Sequence, residues 1–307
     1  MKVLVTGGAG FIGSHLSRKL LADGHTVVIY DNLSTGRKEH VPAKVKLVVG
    51  DIRHEMMSTV LATEKFDAVV HLAAQTGVPA SIESPLFDAD VNIQGSVRLL
   101  EACRTYGVKR VVFASTAAVY GDVAEVPVKE AAPTVPTSFY GLSKLTIEKY
   151  LALYQAQFGL SYVVLRFANV YGERQGDGGE GGVVSIFSRK CFQDEPVTIF
   201  GTGEQTRDFV YAGDVAEAIL LALQTDKDNQ VYNVSTKTEI TVNELLHCIE
   251  TVSAKKMSTT YEPPREGDIF RSFLENQAIT SNLGWKAKTT LPEGLARTYK
   301  FLCGKGS

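Results

Sequence analysis

The sequence predicts an α/β protein built on a doubly wound parallel sheet, with a smaller C-terminal α/β lobe that covers a substrate. Three observations predict it. Short β-branched runs alternate with longer helical stretches over the first two-thirds of the 307 residues, the signature of βαβ units. Several runs, such as Val69-Val70-His71-Leu72 and Val111-Val112-Phe113-Ala114, are nearly continuous apolar segments, as strands covered on both faces must be. The alternation then breaks after Asn169, where residues 171–182 hold six glycines and few apolar side chains, a loop.

Taken in order, strands are predicted at 2–6, 26–30, 45–49, 68–72, 110–115 and 162–166, with helices at 11–22, 93–106 and 140–158 between them. Downstream, helical patterns at 183–193, 213–224 and 241–253 mix with short strands. Pro263-Pro264 marks a turn-rich linker over 261–268. This third is too short and interrupted for a second doubly wound unit. The expected division is therefore 1–169 for the first domain and 170–307 for the lobe, with some of its segments returning to the main sheet.

Composition excludes several classes of function. A formal net charge of −2 offers no bulk attraction to nucleic acid or anionic membrane. No apolar run approaches the ~20 residues that cross a bilayer. The N-terminal apolar run is too short for a signal peptide. The four cysteines, Cys103, Cys191, Cys248 and Cys303, form no C-x-x-C pair, which argues against a zinc site or disulfide framework and suits a reducing cytoplasm. An anionic ligand must then be held by local basic groups and backbone N–H donors.

One turn supplies such donors. Thr6-Gly7-Gly8-Ala9-Gly10-Phe11-Ile12-Gly13 follows the first strand and opens the first helix in a G-x-x-G-x-x-G frame. Glycines there permit a tight turn, let backbone N–H groups approach a pyrophosphate, and let helix pack on sheet. Asp31, 18 residues beyond Gly13, ends the second strand where a carboxylate would accept hydrogen bonds from a ribose. A carboxylate there repels a 2′-phosphate, which favours NAD over NADP. Asp51 follows the third strand, either as an adenine contact or as a helix N-cap.

Chemistry is suggested by Tyr140-Gly141-Leu142-Ser143-Lys144, which stacks a phenol and an ammonium at i and i+4 on one helix face. A phenol with a pKa of ~10 is a poor base at neutrality, and an adjacent cation favours its phenolate. Thr116, 24 residues earlier, lies at the end of the fifth strand, where side chains meet ligands in open parallel sheets. Its hydroxyl could share the same reacting group or simply cap the next turn.

The glycine frame, Asp31, His71-Leu72-Ala73-Ala74-Gln75, Ser115-Thr116-Ala117-Ala118-Val119-Tyr120-Gly121 and Tyr140-x-x-x-Lys144, in this order, resemble the extended short-chain dehydrogenase/reductase family. Within it the chain is most similar to the UDP-glucose 4-epimerases. The resemblance implies a Rossmann domain binding NAD through Gly7, Gly10, Phe11, Ile12, Gly13, Asp31, Asn32, Ser34, Gly36, Asp51, Ile52, Leu72, Ala73, Ala74, Gln75 and Asn92, together with Tyr140 and Lys144. It implies Tyr140 as base, Lys144 as its tuner and ribose ligand, Thr116 as assistant in proton transfer, and His71 as structural. For a UDP-sugar substrate it implies Asn169 at the diphosphate or sugar and Thr198 and Phe200 bordering uracil. It also implies Arg207 and Arg265 clamping the diphosphate, Asp268 toward the ribose, and Ser272 leaving room for an N-acetyl group. No metal is implied. Relatives pair through helices like 93–106 and 140–158, so a homodimer is expected.

The expected reaction is C4 epimerisation of a UDP-hexose through a transient 4-keto sugar. The alternatives are a 4,6-dehydratase, a UDP-glucuronate decarboxylase or epimerase, and a non-catalytic NAD-binding module. Dehydratases resemble Thr-Asp-Glu where this chain has Thr116-Ala117-Ala118, and decarboxylases carry a glutamate at Ala118. Alanines move no protons. The intact Thr116, Tyr140 and Lys144 set speaks against a silent module.

Overall fold

The computed structural model describes residues 1–176, 182–264 and 269–304. Seven strands form its main sheet: β1 Lys2–Thr6, β2 Thr26–Asp31, β3 Lys46–Val49, β4 Ala68–His71, β5 Arg110–Thr116, β6 Ser161–Phe167 and β7 Gln230–Val234. They lie in the order β7-β6-β5-β4-β1-β2-β3, and every pairing is parallel. The first six fall within one or two residues of the strands predicted from sequence. The seventh is contributed from beyond the glycine-rich loop and pairs with β6.

Alternation along each strand divides the core in two. Val3, Val5, Val27, Ile29, Val70 and Val112 face one layer, with α1 (Phe11–Ala22) against Ala212–Gln224. Leu4, Val28, Tyr30, Val69, Val111 and Phe113 face the other, which holds α2 (Met56–Glu64), α3 (Ser96–Thr105) and α4 (Phe139–Phe158). A period of two on a sheet covered on both faces is what makes these strands apolar throughout. A separate cluster of Tyr171, Val184, Phe187, Val197, Ile199, Phe209, Leu245 and Leu295 gives the C-terminal lobe its own core.

The helix expected over 93–106 starts differently. Residues Asp90–Gly95 form a π-helical turn before α3, and Ser96 Oγ donates to the Asn92 carbonyl at 2.6 Å. The wider turn carries Asn92 inward to a buried position, a distortion common beside functional sites. Tyr261 and Glu262, expected in a linker, instead belong to the strand Thr259–Glu262, which pairs with Val197–Phe200. Thr241 is the N-cap rather than the first residue of its helix, in a capping box with Glu244. The final helix Leu291–Leu302 was not predicted, although Thr290 and Glu293 form the same capping signal. No described helix is long and apolar enough to cross a membrane, and the four cysteines stand free.

Candidate active site

The strand order reverses between β1 and β4, so the connections leaving their C-terminal ends run to opposite sides of the sheet and leave a crevice. There the structure has a cavity of about 680 Å³. Three chain segments build its floor: the glycine turn after β1, residues 72–76 after β4, and Ala114–Thr116 at the end of β5.

The glycine turn is tightly fitted. Gly7 has φ +69°, and a Cβ there would stand 2.7 Å from the Ala73 nitrogen. A Cβ on Gly13 would collide with the Gly7 carbonyl oxygen. Neither position accepts a side chain, so backbone lines the cavity at the start of α1, where the helix dipole and free N–H groups favour a phosphate. At the far end Asp31 is buried, its two oxygens accepting from Ala9 N at 2.9 Å and Leu33 N at 2.8 Å. Beside it Asn32 donates to Asp51 at 3.0 Å. A backbone cradle closed to Cβ atoms, with a buried carboxylate bonded to its edge at Ala9 N, fits a dinucleotide.

Asp51 lines the cavity but caps no helix, because α2 begins beyond Glu55. Its carboxylate takes Arg53 Nε at 2.9 Å and Nη2 at 2.8 Å, and these bonds hold it well below the usual carboxylate range. Arg53 itself bridges on to Asp90 and lies 5.6 Å over the Phe87 ring. Sequence reasoning missed Arg53, Thr35, Phe87 and Val91, all in the cavity wall. For Arg53 the i, i+2 spacing from Asp51 was the available signal.

The catalytic candidates converge at the opposite end. Ser138 caps α4, accepting from Gly141 N at 3.1 Å, and so fixes the start of the helix one residue before Tyr140 is presented. Tyr140 and the Thr116 hydroxyl are neighbours in the cavity wall. That hydroxyl accepts from Ala118 N at 3.2 Å, so it caps the turn as well as meeting the tyrosine. Lys144 donates to the Ala114 carbonyl at 3.0 Å, and its ammonium lies 6.0 Å from the Tyr140 ring centre. Burial raises the Tyr140 phenol to about 12, against the lowering effect of the Thr116 hydroxyl. Burial lowers Lys144 to about 8, and the nearby Asp88 carboxylate opposes that shift. The amine thus loses its proton before the phenol does.

Beneath this set, buried Asp88 accepts from Gln75 Nε2 at 3.0 Å and Asn92 Nδ2 at 3.1 Å. Asn92 also holds the Gln75 backbone and Ser143. It therefore stands behind the cavity wall, while Gln75 is in it. His71 is fully enclosed between the hydroxyls of Thr6 and Ser96, and burial lowers it to about 3. A neutral ring wedged between two hydroxyls is a structural residue.

Of the remaining residues, Gly7, Gly10, Phe11, Ile12, Gly13, Ser34, Ile52, Leu72, Ala73, Ala74 and Asn169 line the cavity. Gly36 packs against the Asp31 carboxylate from outside it. Arg207 and Ser272 stand opposite one another in paired strands, the Arg207 guanidinium donating to the Thr206 carbonyl at 2.8 Å. Two residues on, Phe209 pairs with Asn169 at the cavity rim. Asn169, Arg207 and Ser272 thus lie along one run of strands. Thr198 and Phe200 sit on the separate strand pair, tied to that run where Gln205 donates to the Phe200 carbonyl at 2.8 Å. Arg265 and Asp268 lie outside the described residues, but Pro264 comes within 3.6 Å of where a Gly201 Cβ would be. Among the described residues no cluster could hold a metal ion.

Known proteins share this arrangement. Residues 3–235 match the model of the NAD dependent epimerase/dehydratase family. The UDP-glucose 4-epimerase of Mycolicibacterium smegmatis is 41% identical over 311 aligned residues, 99% of each chain. The UDP-glucose 4-epimerase of Thermotoga maritima, solved with UDP-glucose, superposes with a TM-score of 0.96 at 42% identity over 99% of both chains. That of Thermus thermophilus, solved with NAD, gives 0.94, also at 42% identity and over 99% of both chains. The matched range spans the glycine cradle and the tyrosine–lysine helix, and the chain belongs to the NAD-dependent epimerase/dehydratase family.

Proposed function

We propose that the protein epimerises a UDP-hexose at C4, interconverting UDP-glucose and UDP-galactose. One observation carries this reading. Thr116, Tyr140 and Lys144 meet in the cavity, and its only described acidic lining residues, Asp31 and Asp51, lie at the far end. Dehydration needs a second acid/base group beside the reacting carbon, and Ala117 and Ala118 offer none. Proton removal at a single oxygen is what the site can do.

When bound, NAD would supply the acceptor for the C4 hydride and, in its oxidised form, a positive ring charge. The chain supplies the proton chemistry. Tyr140 takes the proton from the 4-hydroxyl, Thr116 holds that oxygen in place, and Lys144 keeps a cation beside the phenol. A unit charge at 6 Å in an effective dielectric of ~20 is worth roughly 3 kcal/mol, about two pKa units. That offsets the rise that burial imposes on the phenol, and the ring charge of the oxidised cofactor would act in the same direction. The flat 4-keto sugar then turns about its diphosphate link and presents its other face, where C4 regains the hydride while Tyr140 gives the proton back to the C4 oxygen.

Arg207, with Arg265, is assigned to the diphosphate and Asp268 to the uridine ribose, while Thr198 and Phe200 flank uracil. Ser272, small and paired with Arg207, leaves room for an N-acetyl group, so UDP-N-acetylglucosamine is included as a substrate. Residues 1–169 serve the cofactor and 170–307 mainly the substrate. Exposed Ile82, Leu86, Phe139, Leu153 and Phe158, on or beside the 139–158 helix, support a homodimer through this face. Sedimentation as a monomer at micromolar concentration would count against it. Four free cysteines suit a cytoplasmic location.

The test is product chromatography after incubation with UDP-glucose and UDP-N-acetylglucosamine, without added NAD. Both should yield the C4 epimer. Tyr140→Phe should lose ~10²–10⁴ of the rate while NAD stays bound. Full activity in that variant refutes the assignment of the base.

A further inference from the structure

The loop leaving the strand Asn169–Tyr171 brings Gln175 into the cavity wall. Its Nε2 donates to the Val170 carbonyl at 3.2 Å. A carbonyl only accepts, so this bond fixes which way the amide faces and leaves Oε1 on the other side. That oxygen is buried and has no hydrogen-bond partner, alone in this among the side-chain nitrogens and oxygens of the described residues. Native proteins carry few such groups, because an unpaired buried acceptor is costly.

The surroundings say what kind of partner is wanted. Asn169, Val170, Gly182, Val183 and Val184 share this part of the wall. A Cβ on Gly182 would sit 3.4 Å from the Gln175 amide, so the start of the helix Val183–Phe192 closes over it. Val184 and the adjoining Tyr171 belong to the core of the C-terminal lobe, not to the glycine turn that faces the cofactor. The valine side chains offer no proton, and the Val170 carbonyl is itself an acceptor. Asn169 and the free N–H groups at the start of that helix carry donors, but none of them bonds this oxygen, which leaves a ligand in the cavity to supply one.

We propose that Gln175 is a sugar-selecting residue, its Oε1 accepting a hydrogen bond from a hydroxyl of the bound hexose. This rests on the UDP-hexose reading above. A hydroxyl satisfies the acceptor. If that hydroxyl is the one on C6, a uronic acid would set its carboxylate against the same acceptor, and the position then also selects a neutral sugar.

Calorimetric titration of the NAD-loaded protein with UDP-glucose and with UDP separates the possibilities. Gln175→Met keeps the length and removes the acceptor. It should bind UDP-glucose about tenfold more weakly and UDP unchanged. On the unaltered protein, one of the 2-, 3- or 6-deoxy analogues of UDP-glucose should show the same tenfold loss, and the variant should not distinguish that analogue from UDP-glucose. Bound NAD, released by denaturation, should be equal in both proteins. Unchanged UDP-glucose affinity overturns the proposal, as does an equal loss for UDP. A fall in NAD content overturns it too, because it assigns Oε1 to the cofactor. Failure of the unaltered protein to epimerise UDP-glucose instead strikes the functional reading, whatever the titrations give.

Discussion

Replacing Glu148 by Gln should unfold the protein several degrees earlier and slow the reaction. Glu148 stands one turn beyond Lys144, so Tyr140, Lys144 and Glu148 form one stripe of α4 at i, i+4 and i+8. Its carboxylate binds Arg166 on β6 in bidentate fashion, Nε to Oε1 at 3.0 Å and Nη2 to Oε2 at 2.6 Å. Ser115, beside Thr116, donates to it at 2.5 Å. Both charged side chains are 5% exposed. Arg166 bonds otherwise only to neutral oxygens, Tyr120 Oη at 2.9 Å and the Glu130 carbonyl at 3.2 Å. Neutralising Glu148 therefore leaves a buried guanidinium without a counter-charge, a loss of about 3–5 kcal/mol. With an unfolding entropy of ~2.1 cal/mol/K per residue over 307 residues, that corresponds to a fall in Tm of about 5–8 °C.

Thermal melts and urea titrations followed by circular dichroism measure the change. The double variant Glu148→Leu/Arg166→Met removes both charges together and should cost less than Glu148→Gln alone. Because the pair anchors the catalytic stripe to the end of β5, kcat should fall more than KM rises. A loss under ~1 kcal/mol in the single variant, or a double variant worse than the single, would refute this account of the pair.

Two further outcomes are expected. Gly13→Ala should purify with little or no NAD, because its Cβ collides with the Gly7 carbonyl and displaces the turn; cofactor released on denaturation measures this. The pH profile should show activity and stability moving apart. Burial lowers Lys144 to about 8, so its cation is present below that pH and activity falls as pH rises through it. The unfolded chain keeps this proton up to ~10.4, so it binds more protons than the folded chain over pH 8–9, and stability rises there. Buried Cys103, whose thiol burial raises, acts in the opposite sense as the unfolded thiol ionises from ~8.5, so the rise is smaller than Lys144 alone would give. Melts and rates measured on the same samples test the divergence, and stability falling together with activity over pH 8–9 contradicts it. Lys144→Arg, charged throughout, should flatten the alkaline fall in rate.

Local chemistry made much of the site legible in the order of residues along the chain. Gly7, Gly13, Asp31, Thr116, Tyr140 and Lys144 belong to short motifs whose spacing is meaningful within one turn, one strand end or one helix face, and the cavity gathers all six. Residues acting across long sequence separations left no such trace. Arg53 shows only its i, i+2 spacing from Asp51, and it gains the rest of its place from Asp90 and Phe87, 37 and 34 positions away. Gln175 looked like one polar residue in a loop, and its unpaired oxygen exists only because the Val170 carbonyl orients the amide.

The sequence by itself therefore determined the layered parallel sheet and the nucleotide cradle, since hydrophobic period and glycine spacing act over a few residues. It also determined the absence of an acid beside Thr116, which is a matter of residue identity alone. Tertiary structure decided the rest. It drew Gln230–Val234 back into the sheet beside β6, because an unpaired strand edge leaves backbone groups unmet and this segment satisfies them. It placed Arg207 opposite Ser272, and Phe209 two residues on opposite Asn169, relations fixed by strand register between segments 65 and 40 residues apart. It set Tyr140 and Lys144 in surroundings that move their proton affinities in opposite directions, because burial disfavours the charged form of each.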